Sequence, residues 1–522
     1  MLLPSGFQVT VVADGIGRAR HLAVRDNGDI YVAMRESSSG KCLAGLRDED
    51  GDGIADLIHY FGDFGECGSV KIKGDYLYFS NLDTVYRAAL GERGLPTIGP
   101  AEVVATGFGK NGPWHNYKII AFDDSDNLYV NVGAPSNACQ EQWRTPGSPG
   151  LRPCPHLSQH AGIWKFHAQR LGQLQEREGE RYATGIRNAV ALSWNPVAGS
   201  LYAIPHGRDL LHQLWPEHYS QDEAVELPAE EFFKLREGFN GGWPYTYYDP
   251  QKQARMQAPE YGGTGVKPPI DRGYDDPVMT FPAHWAPNDL VFYTDDEFPQ
   301  AYYGGAFVAF VGGWNRAPQA QGGYKVAFVP FDVEGLPSAA ASTFIDGFAG
   351  TTPIRGPDDA RYRPTGLAQG PDGSLFVADS VQGRIWRITY TGKPGDNKPE
   401  SRAGGKPTPA VSDGSALGQN AAADDYLTHC ASCHMSGGGG VPNFSPALAN
   451  SESVNGPPAP LIALVQQGRP ASKYANAMPG FRGLGADTIA RILTYVRGNF
   501  GNNAGPVSAE MITQAESTAD DK

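Results

Sequence analysis

The 522-residue chain contains no apolar run approaching the roughly 20 residues that a membrane-spanning helix needs. It also lacks a cluster of Lys or Arg, and its net charge is −14, which argues against a nucleic-acid partner. No signal peptide is evident: Met1-Leu2-Leu3-Pro4 leads straight into the strand-like Gly6–Ala13. Cysteine is scarce, with six residues at positions 42, 67, 139, 154, 430 and 433. What is abundant is Gly (66) and Pro (41), with plentiful Tyr and Phe, a composition of many short strands joined by tight turns. The length exceeds one ordinary core, so at least two domains are expected, one of them a large β architecture.

The cysteines divide by chemistry. Cys430-Ala-Ser-Cys433-His434 has the C-x-x-C-H spacing that sets two thiols against haem vinyl groups while the adjacent imidazole meets iron. It predicts covalently bound haem c. The other four form two local pairs, 25 and 15 residues apart, in Gly/Pro-rich loops. Short loops close most easily, so disulfides Cys42–Cys67 and Cys139–Cys154 are expected; four reduced, buried cysteines are the alternative. Haem c and disulfides both belong to an oxidising compartment. The expectation is a periplasmic protein whose leader has been removed.

One short pattern recurs: a turn carrying Asp, Asn or Gly, then an alternating apolar and aromatic strand. It is found at Asp26–Ala33, Lys73–Ser80, Ser125–Asn131, Ala198–Ile204 and Pro371–Ala378, with a looser copy at Tyr303–Phe310. Six copies predict an all-β six-bladed β-propeller of four-stranded blades over residues 1–391, with larger insertions after the fourth copy. A tandem of β-sandwiches is the alternative, but it has no need of one hairpin six times. Arg384–Tyr390 ends the repeats, and the N-terminal Phe7–Ala13 is placed to complete the same blade.

Residues 392–415 carry Pro, Gly, Lys, Asp and Ser with almost nothing apolar, and are read as a flexible linker. Such a linker spans roughly 25–30 Å root-mean-square, enough to lay a small domain over a propeller face. Residues 416–502 are read as a small all-α cytochrome c domain, and 503–522 as a polar, disordered tail. Within the domain, Asp487–Arg497 places apolar residues at 489, 492, 493 and 496, one face of a helix. Met478 lies in a Pro/Gly loop, 44 residues after His434 and just before that helix. This placement resembles class I cytochromes c, which implies Met478 as the second iron ligand and electron transfer as the domain's role.

Several propeller motifs carry a second resemblance. Ala183–Leu192 with Arg187-Asn188, Leu201–Asp209 and Gly241-Gly-Trp-Pro-Tyr245 are similar to pyrroloquinoline-quinone (PQQ)-dependent soluble sugar dehydrogenases, nearest the sorbosone and aldose dehydrogenase subgroup. Phe310–Arg316 and Ala360–Pro364 extend the likeness over most of residues 5–391. The resemblance implies a quinohaemoprotein: a sugar (aldose or ketoaldose) is oxidised by hydride transfer to PQQ. Electrons then pass one at a time to haem c and on to an external cytochrome or quinone pool. It implies His115 as the base, Arg187 beside the reactive quinone carbonyl with Asn188, and Arg361 and Arg363, on one face of a strand, gripping the cofactor carboxylates. Arg316 is implied in the same pocket, and the carbonyls of Gly207 and Arg208 as donors to a calcium ion. His206, His284 and His156 compete for the base. The chain departs from the soluble glucose dehydrogenases at Trp114, where they have Asp, and at Val190, where they have Gln, which puts glucose itself in doubt.

Asp48-Glu-Asp-Gly-Asp-Gly-Ile-Ala-Asp56 reads as a separate D-x-D-x-D-G calcium loop, with Asp48, Asp50, Asp52, Asp56 and the Ile54 carbonyl as ligands. His59 replaces the usual Glu at the twelfth position, so the set is incomplete. A solvated acidic turn is the plainer alternative. Two other functions compete with a dehydrogenase. A lactonase-like propeller hydrolase leaves the haem without an electron source. A non-catalytic sugar- or partner-binding propeller makes the chain an electron-transfer adaptor.

Overall fold

The computed structural model describes residues 1–37, 39–91, 97–109, 115–392, 421–435, 437–440, 445–469, 478 and 480–520. The 393–420 stretch, which holds nearly all of the expected linker, lies outside the described residues, as does Trp114.

Six sheets form six blades, antiparallel except for a short parallel fifth strand at the outer edge of the second (Gln173–Leu174) and third (Phe239–Asn240). Their innermost strands are Arg18–Val24, Ser69–Lys73, Ile120–Phe122, Ala189–Asn195, Pro287–Phe292 and Pro364–Gln369. Each contacts the next, and the sixth contacts the first, so the ring is closed. The six recurrent hairpins all do one job: each leads from a blade's innermost strand into its second, as in Ile30–Glu36 and Leu375–Asp379. Alternation of apolar residues there buries both faces between neighbouring blades. Phe7–Ala13 pairs with Ile385–Tyr390 as the outermost strand of the sixth blade. Its Phe7 ring sits 4.8 Å from Phe298 and 4.9 Å from Phe344, edge to face, so the closing strand is also locked to the fifth blade.

The large insertions fall within the fourth blade rather than after it. Two short helices, Leu211–Leu214 and Gln221–Glu226, separate its second and third strands. The hairpin Thr246–Asp249/Ala254–Gln257 precedes its fourth. Disulfides Cys42–Cys67 and Cys139–Cys154 are both formed, with Cα separations of 5.3 and 6.2 Å.

The C-terminal region is helical, with Ala421–His429, Ala431–His434, Pro458–Gln467 and Ala486–Gly498 as its main elements. Ile489, Ile492, Leu493 and Val496 are buried, as their spacing demands. The expected disordered tail is a helix instead, Ala509–Asp520. Ile512 anchors it with no exposed surface, packed with Leu461, Ile462 and Ile489. Few apolar residues suffice because all of them share one face. Among the described residues no helix is long and apolar enough to cross a membrane.

Candidate redox sites at the propeller mouth and in the cytochrome domain

All six innermost strands start at one end of the ring, and residues just before those starts line its mouth. Arg187 and Asn188 immediately precede the fourth blade. Arg187 is 5% exposed and fully engaged: Nη1 donates to the Gly207 carbonyl at 2.6 Å, and Nη2 to Asp209 and to Asn137 Oδ1, each at 3.0 Å. Asp209 also accepts from Arg144 Nη2 at 3.0 Å. Burial alone would raise the Asp209 carboxyl, but Arg187 and Arg144 outweigh it and hold it down at about 2. One ionised carboxylate therefore binds two buried guanidinium groups together.

His115 is placed beside this group. It takes the left-handed conformation (φ 51°), uncommon for a residue with a Cβ. Its Nδ1 lies 2.6 Å from the Ala134 carbonyl, which can only accept, so Nδ1 carries the proton and Nε2 keeps a lone pair. Burial, and then the Arg187 charge, drive its pKa well below the ordinary imidazole value. Gly133 makes the approach possible, since a Cβ there would meet Asn188 Oδ1 and His115 Cβ at 2.6 Å. Asn188 is held by Asn131 Nδ2 at 3.1 Å. The chain thus brings together His115, Arg187, Asn188 and Gly207 from three distant segments.

The side chains of the other expected site residues do not join this group. Arg361 and Arg363 do not share a strand face, because the strand begins only at Pro364. Arg361 is exposed, 5.2 Å over the Tyr362 ring. Arg363 donates to the Val311 and Gly312 carbonyls at 2.8 and 2.7 Å. Arg316 bolts the fourth-blade insertion to the fifth blade through Val225, Ala283 and Glu226. The Arg208 side chain is turned inward to Glu260 at 2.5 Å, a fully buried ion pair. Among the rival histidines, His206 and His284 spend Nε2 on the Pro287 and Ala224 carbonyls. His156 lies apart, in the short helix Pro155–Ser158.

Three mouth residues escaped the sequence reading. Asp209 stood in a quoted motif but received no role, and Arg144 lies in the Gly/Pro-rich loop closed by the second disulfide. Arg20 begins beside a core histidine, stacks 4.2 Å over the Tyr117 ring, and has a buried Nε with no hydrogen-bond partner. Only that unmet donor marks it out, and it is invisible in sequence.

In the acidic loop, carboxylate oxygens of Asp48, Asp50 and Asp56 lie within 4.8 Å of one another. Asp52 stands outside this group and accepts from the Ile54 amide at 2.7 Å. The loop joins the third and fourth strands of the first blade.

In the cytochrome domain, Cys430 and Cys433 join no disulfide and lie one helical turn apart, next to His434. His434 Nδ1 is 2.9 Å from the Pro446 carbonyl, which fixes the ring and leaves Nε2 to face a metal. Met478 is half-buried against the cluster of Leu461 and Val465, and its backbone pairs with Arg469 at 2.8 Å both ways. Burial, chiefly, lowers the His434 pKa.

These features define a six-bladed propeller with a polar, cation-rich mouth joined to a c-type cytochrome domain. The chain belongs to the TrAA12-like family, whose model matches residues 1–252 and 266–391. Residues 419–496 match a second model, described as cytochrome c oxidase, cbb3-type, subunit III. The PQQ domain of pyranose dehydrogenase from Coprinopsis cinerea, in its holo form, has the same fold (TM-score 0.59, 20% identity, 74% of this chain and 96% of that one). So has a family AA12 enzyme of Trichoderma reesei (TM-score 0.60, 19% identity, 74% and 97%). The cytochrome c subunit of the quinone alcohol dehydrogenase of Gluconacetobacter polyoxogenes is 38% identical over 104 residues, 18% of this chain and 22% of that protein. A Borreliella burgdorferi protein without an assigned function is 27% identical over 282 residues, 54% of this chain and 62% of its own length. The chain thus spans less than two thirds of either relative.

Proposed function

We propose that this protein is a periplasmic PQQ-dependent sugar dehydrogenase that passes its electrons to its own haem c. The observation that carries the reading is the pairing of a neutral, oriented His115 with the Arg187–Asp209–Arg144 network, at the mouth of a TrAA12-like propeller.

The residues suit a tricarboxylate quinone. Arg20 offers a buried, unmet Nε at the mouth, and Arg187 is held rigid beside His115. Arg20 and Arg363 take the part first expected of Arg361 and Arg363, with Asn188 at the wall. Bound there, PQQ supplies a two-electron acceptor, and haem c held by Cys430, Cys433, His434 and Met478 supplies a one-electron acceptor. His115 Nε2 removes the proton of the sugar hydroxyl as the adjacent C–H bond is oxidised. The fixed Nδ1–H bond keeps Nε2 aimed, and the imidazole is already deprotonated at neutral pH. Arg187 stabilises negative charge developing on an oxygen beside it, with no reorganisation because Asp209 and Asn137 hold it. The Gly207 and Arg208 carbonyls are proposed donors to calcium at this site, and the Asp48–Asp56 loop to a structural calcium, with Asp48, Asp50 and Asp56 as its nearest ligands.

The test is reconstitution with PQQ and calcium, followed by a panel of aldoses and ketoaldoses with an artificial dye as acceptor. Dye reduction that requires both PQQ and a sugar is expected. Turnover with no sugar in the panel, or tight PQQ binding retained in Arg20→Ala and Arg187→Ala, would overturn the reading.

A further inference from the structure

The sequence suggests a cytochrome swinging on a tether, yet the structure seats that domain on the propeller at two separated points. Gln221, in the fourth-blade insertion, donates through Nε2 to the Thr428 carbonyl at 3.3 Å. Asp358, on the loop entering the sixth blade, faces the glycine run after the haem motif: a Cβ on Gly437 or Gly439 would lie 3.5 or 3.6 Å from its Oδ2.

These points lie on different blades, around the mouth rather than along its side. Gly437, Gly438, Gly439 and Gly440 lack side chains where the haem-bearing loop meets the propeller. Gly437 and Gly439 are exposed, so packing of the cytochrome's own core does not require them to be glycine. A small Cβ at either position would stand in ordinary van der Waals contact with Asp358, whereas a large side chain would push the two domains apart.

We propose that the mouth carries a built seat for the chain's own cytochrome domain, with Gly437 and Gly439 as its foot against Asp358 and Gln221 as its second hold. The electron-exit part of this proposal rests on the function proposed above; the seat itself does not. In the seated pose, each transfer takes one electron from the reduced quinone and converts ferric haem to ferrous haem. Protons leave to solvent, and a one-electron acceptor outside the chain reoxidises the haem. A seat keeps the donor and acceptor at a fixed, short separation instead of relying on chance encounters of a tethered domain.

The experiment introduces Asp358→Cys with Gly437→Cys in the full holoprotein under oxidising conditions. Loss of both new thiols to one disulfide within the monomer, unchanged on dilution, is expected, with sugar-driven haem reduction undiminished. Failure to form that bond, or its formation only between molecules, overturns the seat. Formation with haem reduction abolished overturns the exit. A second variant, Gly437→Trp, wedges the foot: haem reduction by sugar should slow while dye reduction and the haem spectrum stay unchanged. An unaltered haem reduction rate in that variant also overturns the proposal. If the disulfide forms but no sugar reduces the unmodified protein's haem, the seat stands and the proposed function falls.

Discussion

The two candidate redox sites of this chain are held in opposite ways. At the propeller mouth, His115, Arg187, Asp209 and Arg144 come from well-separated segments and are fixed by hydrogen bonds to each other and to backbone carbonyls. In the cytochrome domain, three attachment residues lie on one helical turn, and the apolar core is split into two small clusters around Ile489 and Ile492. The first site is preorganised by protein alone. The second, on the proposed reading, would be joined across its two clusters by its prosthetic group, as in other small domains.

The sharpest way to break this comparison is to remove the haem. Cys430→Ala with Cys433→Ala should abolish sugar-driven haem reduction entirely and melt the C-terminal helices, read as lost helical circular dichroism. Dye-linked sugar oxidation by the propeller should survive; a propeller that unfolds as well would show that the two sites are not independent. Next in size, His115→Gln should lower dye-linked turnover by on the order of 10²–10⁴-fold while leaving the haem spectrum intact. A fall of less than tenfold would assign the base elsewhere.

A third variant probes the rigidity beneath the mouth. Arg208→Met leaves Glu260, with no exposed surface, without its guanidinium, and should destabilise the propeller by about 3–5 kcal/mol in chemical denaturation. The cytochrome's haem-band transition should not move.

The smallest effect concerns pH. His21 and His206 are buried neutral with pKa values lowered to about 4, so the unfolded chain binds their protons first on acidification. Their contribution is full above the ordinary value of 6.5 and is lost as pH falls toward 4. Glu230, raised to about 7 by burial, acts in the opposite sense, stabilising as pH falls from 7 to 4.5. Two histidines against one carboxyl predict a propeller melting temperature that drops between pH 6.5 and 4, and drops less in His206→Gln.

Legibility in the sequence follows the same division. Cys430, Cys433 and His434 could be picked out directly because they share one five-residue motif, and the blade hairpins because each is one turn and one strand. His115 and Arg187 were proposed from the motifs around them, and the structure brings them together at the mouth. The Arg144–Asp209 bond was not, since it joins positions 65 residues apart through a disulfide-closed loop whose path no local pattern encodes. Arg361 and Arg363 look alike in sequence, and only the strand beginning at Pro364 separates an exposed side chain from a half-buried, hydrogen-bonded one. The terminal helix was missed because Glu510, Gln514 and their neighbours dilute the stripe of Met511, Ile512 and Ala515.

The central claim is that electrons enter at the propeller mouth and leave through the haem of the same molecule. It is tested most directly by following reduced-haem absorbance after mixing sugar with the PQQ- and calcium-loaded protein at several protein concentrations. The account predicts a first-order rise whose rate constant does not change with protein concentration and which disappears without PQQ. A rate proportional to protein concentration, or haem that stays oxidised while dye is reduced, would contradict it.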